Sequence, residues 1–168
     1  MQLNYKGESI VAQVAPTVRT GQNFAVADLG LFSQLRQFTF ETSEMPIKVE
    51  GKIFLKEILN LSSAEISFNN LPPKTSIPFY HKHRLNEEIY IIVRGKGEFQ
   101  VDNCVFPVNE GTVVRVDPEG ERCLRNTSDN EDLCWITIQS RAGSYTDHTI
   151  QDGFGVKKRV SWVGKQQI

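Results

Sequence analysis

Residues 78–102 read PFYHKHRLNEEIYIIVRGKGEFQVD. The middle of this stretch, EEIYIIV over 87–93, is dense in β-branched and aromatic side chains and lacks helical spacing of its apolar positions. Gly95, Lys96 and Gly97 turn the chain, and 98–101 begins a second strand. Successive side chains of a strand point to opposite faces, so Glu88, Tyr90 and Ile92 share one face and Glu87 lies on the other. The IYIIV run is apolar on both faces. An open sheet built from it would expose apolar surface and unpaired edges, so both sides need cover.

The same rhythm extends outward in both directions. Strands are predicted over 52–61, 64–69, 104–108, 112–116, 122–126 and 133–139, with turn residues every eight to twelve positions or so. Leu71-Pro72-Pro73, Asp102-Asn103 and Asn109-Glu110-Gly111 interrupt them. Connections this short require antiparallel pairing, because parallel strands need crossovers of a dozen or more residues. The expected fold class is all-β, a double-sheet jelly-roll barrel that hides one face of each sheet inside. Residues 1–50 are more polar and read as an N-terminal arm that packs on the barrel or on a partner subunit. Within the arm, 31–40 suits either a short helix or a strand. The barrel is expected over 51–145 and a C-terminal extension over 146–168.

A chain of 168 residues fits one domain, and 39% hydrophobic with 23% charged residues is ordinary for a globular protein. The formal charge of −1 gives no attraction to nucleic acid or to an acidic membrane, and neither partner is expected. The start lacks a basic segment followed by an apolar run, and no stretch approaches the length of a membrane span. The three cysteines, Cys104, Cys123 and Cys134, form no paired spacing. Free thiols without an export signal point to the cytoplasm.

From His81 onward the opening stretch resembles the first motif of the cupin superfamily, G-x5-H-x-H-x(3,4)-E-x6-G, in its small single-domain form. His81, His83, Glu88 and Gly95 fall at the motif spacing, and Thr75 stands at the leading glycine. Residues 110–126, EGTVVRVDPEGERCLRN, resemble the second motif, G-x5-P-x-G-x2-H-x3-N. Gly111, Pro118, Gly120 and Asn126 are recognisable with spacing off by one on either side, and Cys123 falls at the histidine. The resemblance implies a double-stranded antiparallel β-helix, the cupin barrel. It implies little about activity, because one fold serves many functions.

His81 and His83 lie two apart, so on a strand both imidazoles aim at one point, and Glu88 reaches that point from the next strand. Two histidines and a carboxylate with open positions suit a divalent transition metal: Fe, Mn, Ni or Zn. Cys123 has two readings. Its thiolate is a fourth ligand, or the residue is a small buried hydrophobe. Tyr90 and Ile92 share the Glu88 face and are expected to line the pocket. The function expected is a metal-dependent dioxygenase or related oxidoreductase acting on a small organic substrate. The alternative is a non-catalytic small-molecule binder or sensor with a degenerate metal site. The doubly apolar strands and the arm lead us to expect a homodimer with arm or edge strands crossing between subunits.

Overall fold

In the computed structural model, which describes residues 15–42 and 45–166, the regular structure is almost entirely strand. A hairpin of β1 (Thr17–Gly21) and β2 (Phe24–Asp28) is followed by a 3-10 turn, Phe32–Gln37, and a second hairpin of β3 (Thr39–Thr42) and β4 (Met45–Glu50). Then come β5 (Lys52–Phe54), a single helical turn α1 (Lys56–Leu59), β6 (Glu65–Leu71), β7 (Asn86–Arg94) and β8 (Lys96–Val101). The barrel is completed by β9 (Cys104–Asn109), β10 (Val113–Val116), β11 (Arg122–Asn126) and β12 (Leu133–Arg141). One large sheet has the order β10-β7-β12-β6-β5 and a smaller one the order β11-β8-β9, with antiparallel pairing throughout. Among the described residues no helix is long and apolar enough to cross a membrane.

The predicted strands over 64–69, 87–93, 98–101, 104–108, 112–116, 122–126 and 133–139 all lie in these two sheets, with edges shifted by a few residues. The prediction over 52–61 is half wrong. Only Lys52–Phe54 pairs with β6. The chain then turns through α1 and leaves it at Asn60, whose φ of 53° ends the helix in the left-handed region. The KEILNL segment carries helix-favouring Lys, Glu and Leu, and that local preference prevails once the short edge strand ends.

The two sheets enclose one core of Tyr90, Ile92, Phe99, Val108, Val116, Leu124, Leu133 and Trp135. Tyr90 meets Phe99 edge-on at 4.8 Å and Phe99 stacks on Phe106 at 5.8 Å, a contact mode that adds to simple burial. A second core lies outside the barrel. Leu29, Leu35 and Phe38 of the arm pack on Ile53 and Leu55, with Ile66 and Phe68 of β6 against them. The arm therefore covers the β5–β6 end of the large sheet within its own chain. Residues 1–14 lie outside the described residues. The 31–40 stretch resolves into the 3-10 turn and the start of β3.

Gly95 is the corner where the chain leaves the large sheet for the small one. Its φ is +82°, and a Cβ there would lie 2.3 Å from the Asp132 carbonyl oxygen. Glycine is needed here for both backbone angle and space. Gly111 has a similar φ of +87° but nothing within 4 Å of a Cβ. Gly95→Ala should therefore cost roughly 3 kcal/mol or more, and Gly111→Ala only about 1–2 kcal/mol. Urea midpoints at unchanged m-value measure both; equal costs would mean that the close approach to Asp132 is relaxed without penalty.

Candidate metal centre

The histidine segment is held as an irregular extra strand along β11. Ile77 N–H donates to Leu124 O at 3.0 Å, Arg122 N–H to His81 O at 3.1 Å, and Asn126 N–H to Thr75 O at 2.8 Å. His83 N–H donates to Pro118 O at 3.0 Å, so the second motif's proline carbonyl fixes the backbone that presents the imidazole. The motif's asparagine is structural as well. Asn126 Nδ2 donates to Leu71 O and Glu131 O at 2.9 and 2.8 Å, and its Oδ1 accepts from Ser128 N–H at 2.9 Å.

These constraints bring His81, His83 and Glu88 together, with one possible ligand atom from each lying within 4.8 Å of the others. His81 Nε2 is 3.4 Å from Glu88 Oε2, and His83 Nε2 is 3.1 Å from Oε1. The imidazoles are partly exposed at the barrel mouth, and the carboxylate is buried. Glu87 lies on the other face of β7 with its carboxylate 3.6 Å from Arg115, as the strand parity requires. Tyr90 and Ile92 are buried on the Glu88 face. Ile92 belongs to the core. The Tyr90 hydroxyl donates to Glu88 Oε2 at 2.5 Å.

Cys123 is not part of this group. It sits on the outer face of β11, half-exposed, where its Sγ donates to Ile77 O at 3.2 Å. Neither reading of it holds, since it is neither near the imidazoles nor buried. The cause is strand parity. Inward positions of β11 are Arg122, Leu124 and Asn126, and Cys123 alternates with them. Arg122 takes the inward place. It is 1% exposed, its Nε lies 3.3 Å from Glu88 Oε2, and its terminal nitrogens donate to His81 O and Asp117 O at 3.3 Å each. Counting back from Asn126 by the motif's x3 lands on Arg122, whereas counting forward from Gly120 lands on Cys123. The first count reveals the residue in the sequence, because Asn126 is held by three hydrogen bonds and cannot shift.

A second interior residue carries no signal in the sequence. Lys52 Nζ donates to Asn69 Oδ1 at 2.7 Å, lies 3.5 Å from Ser67 Oγ, and stands 4.6 Å over the Phe54 ring. Asn69 Nδ2 continues to Thr137 Oγ1 at 3.3 Å, and Trp135 Nε1 donates to the same oxygen at 3.0 Å. Thr137 is opposite Ser67 on one side and Tyr90 on the other, so this polar row borders the histidine–glutamate group. Strand β6 is therefore inverted, with Ser67 and Asn69 turned inward and Ile66 and Phe68 outward under the arm.

The electrostatics follow from burial and these contacts. Burial pushes the Glu88 carboxyl up, but contacts from His81, His83 and Tyr90 outweigh it and hold the group well below the usual carboxylate range. Burial, reinforced by the Glu88 charge, raises the Tyr90 hydroxyl above its ordinary value, so its proton stays on the oxygen. Burial lowers the Lys52 ammonium to about 8, against the opposing pull of Glu88 and Glu65.

The group fits a divalent cation by its own chemistry. Two imidazoles and a carboxylate converge, and His83 Nε2 is buried without a hydrogen-bond partner, its approach to Glu88 being close but poorly aligned. His81 Nδ1 is also buried without a partner, so the acceptor that usually orients a ligating histidine is lacking on that ring.

A two-sheet β-barrel with this His-x-His pair on one wall and a glutamate on the facing strand defines a small barrel protein with a three-residue group that could hold a metal ion. The chain belongs to the cupin superfamily. Residues 68–139 match the family model described as the cupin domain. The chain is similar to the crystal structure of a cupin protein from Bacteroides fragilis, at 36% identity over 62% of this chain and 88% of that one, with a TM-score of 0.60. It is also similar to a predicted oxalate decarboxylase from Thermotoga maritima, at 28% identity over 61% of this chain and 91% of that one, with a TM-score of 0.50. No curated protein matches the chain in sequence.

Two measurements check the site. In equilibrium metal titrations Cys123→Ser should leave affinity unchanged, while Arg122→His should raise it by roughly tenfold or more by adding an inward imidazole and removing a cation. The second concerns Lys52. Its value is lower in the folded chain, so the unfolded chain binds more protons between pH 8 and about 10.5. The stability difference between wild type and Lys52→Met should therefore grow in favour of wild type as pH rises through that window, and fall away as pH drops through 8. A flat difference by urea denaturation at pH 7, 8.5 and 10 would contradict the buried ammonium.

Proposed function

We propose that this chain is a metal-dependent cupin enzyme of the dioxygenase or related oxidoreductase class, acting on a small carboxylate-bearing substrate. The reading rests on one observation: the ligand atoms of His81, His83 and Glu88 lie within 4.8 Å of one another at the barrel mouth. A divalent transition ion held by these three would supply a redox centre or a Lewis acid. Its identity among Fe, Mn, Ni and Zn is left to measurement.

The chain's own residues supply binding and order. Tyr90 anchors one oxygen of Glu88 and keeps the carboxylate in a single orientation. Arg122 and Lys52 bring two positive charges to the interior against the one carboxylate of Glu88. That balance favours an anionic ligand even before a metal adds its charge. The Thermotoga maritima relative carries in its description a small dicarboxylate, oxalate, which agrees with such a substrate.

A second reading has a specific observation in its favour. Arg122 is ion-paired to Glu88 where the motif places a fourth ligand. A site neutralised in this way suits a non-catalytic barrel that binds its small molecule by shape and hydrogen bonds alone.

The test begins with equilibration against Fe, Mn, Ni and Zn in turn, followed by dialysis. The proposal expects about one equivalent of at least one metal to remain and His83→Ala to abolish it in a folded barrel. Oxygen uptake or carbon dioxide release with small mono- and dicarboxylates then identifies the reaction class. Retention of no metal would leave the binding reading in its place.

A further inference from the structure

The inward face of the large sheet is apolar only in part. Toward β5 it carries Lys52, Ser67, Asn69 and Thr137, which the register sets side by side across β5, β6 and β12. Lys52 is the cation of this row. An ammonium has three donors and no acceptor. Here Nζ donates to Asn69 Oδ1 at 2.7 Å, lies 3.5 Å from Ser67 Oγ, and stands 4.6 Å over the Phe54 ring. Phe40 of the arm backs Phe54 edge-on, with ring centroids 4.9 Å apart. These contacts fix the ammonium without neutralising it. Among the described residues no carboxylate pairs with it. Glu65 accepts from Leu55 and Lys56 N–H at 3.2 and 2.9 Å, and Glu88 is engaged by Tyr90, the two histidines and Arg122. A partly buried cation without a counter-ion is costly, and an anion from outside removes that cost.

The Glu88 end of the interior shows a second deficit. His83 Nε2 and Arg122 Nε are buried there without a hydrogen-bond partner. Strand β12 runs between the two ends, and its inward Thr137 and Gln139 lie opposite Tyr90 and Glu88. Lys52, Phe54, Glu65 and Gln139 are half-buried, so water reaches this inward wall. Strand β6, whose side chains hold the ammonium, is two places from β7 in the sheet order. That puts the ammonium about 10 Å across the sheet from Glu88. A charge-assisted hydrogen bond takes up about 2.8 Å at each end of a ligand that bridges the gap. About 4–5 Å remains, roughly three or four carbon–carbon bonds of about 1.5 Å along an extended chain.

We propose that Lys52 is the specificity residue of a second carboxylate subsite, and that the ligand of this barrel is a dicarboxylate with two or three carbons between its carboxylates. One carboxylate lies on Lys52 and the other at His83 and Arg122. This rests on the carboxylate-bearing ligand proposed above and adds its second charge and its length. Oxalate, whose carboxyl carbons are adjacent, is too short to bridge the two ends. A monocarboxylate of the right length leaves the ammonium unpaired. A site built to pair a charged group discriminates strongly against the analogue that lacks it. A metal in the histidine–glutamate group would take the first carboxylate itself, and the Lys52 end is the same with or without it.

Titration calorimetry on the full chain, with and without a retained metal, should show succinate or glutarate binding roughly tenfold or more tighter than oxalate, butyrate or pentanoate. Lys52→Met should lower the dicarboxylate affinity by about tenfold or more, to that of the monocarboxylate of equal length. Metal retention is measured on the same samples. Equal affinity of the wild type for mono- and dicarboxylates, or tightest binding of oxalate, would overturn the proposal, and this comparison needs no variant. A Lys52→Met chain that is folded by circular dichroism and keeps the dicarboxylate preference would overturn it too. A Lys52-dependent preference in a chain that retains no metal supports the subsite and removes the enzyme reading. Metal retained without the preference removes the subsite and leaves the enzyme reading standing.

Discussion

A carboxylate inside a β-barrel stays charged only if its neighbours replace the water it has lost. Glu88 is that group, and four side chains from three parts of the chain are arranged around it. His81 and His83 come from the segment along β11, Arg122 from β11 itself, and Tyr90 from the same strand as Glu88. The contacts tie the small sheet to the large one across the barrel mouth. They also account for several features that otherwise look independent: the Pro118 carbonyl that holds His83, the three hydrogen bonds of Asn126, and the Gly95 corner that carries the chain from one sheet to the other.

The barrel and the convergence of His81, His83 and Glu88 were legible because both rest on strand parity. Alternation separates Glu88 from Glu87 and sets two histidines on one face, and a period of two cannot slip without turning every side chain over. Parity was also available at β11, but the reading there relied on motif spacing measured from Gly120, and the turn before β11 is one residue shorter than that count assumes. Arg122 was missed for that reason alone. Lys52 was illegible for a different reason. Its place inside depends on the inverted strand β6, where Ser67 and Asn69 face inward, and on the arm covering Ile66 and Phe68 from outside. Nothing local distinguishes KIF with Lys inward from the same triplet with Lys in solvent. The α1 turn was hidden by the apolar content of 52–61, which suits strand and helix alike.

The exterior follows from the same doubly apolar strands. A sheet that is apolar on both faces needs a core inside and a cover outside. The arm provides part of that cover through Leu29, Leu35 and Phe38. Among the described residues the rest of the outer face has no cover, and the segment 142–166 leaves its apolar side chains exposed. Both features arise from how one sequence distributes its apolar residues between the barrel interior and its outer face.

Arg122 gives the interior its particular character. A histidine at its place would be neutral and would offer a lone pair. A guanidinium offers only N–H donors and a permanent charge. It cannot ligate a cation, and any cation that approaches Glu88 meets a positive charge already 3.3 Å from the same carboxylate. It is also not free to swing away, because its terminal nitrogens are held by the carbonyls of His81 and Asp117 in a buried place. Removing it would leave Glu88 short of a partner, and retaining it would limit how strongly His81, His83 and Glu88 could attract a metal. The same fixed charge, together with that of Lys52, would favour an anion in the interior. The residue that would weaken the hold on a metal is thus the one that would strengthen the hold on a carboxylate, and the balance between the two would set whether this barrel acts as a catalyst or a receptor.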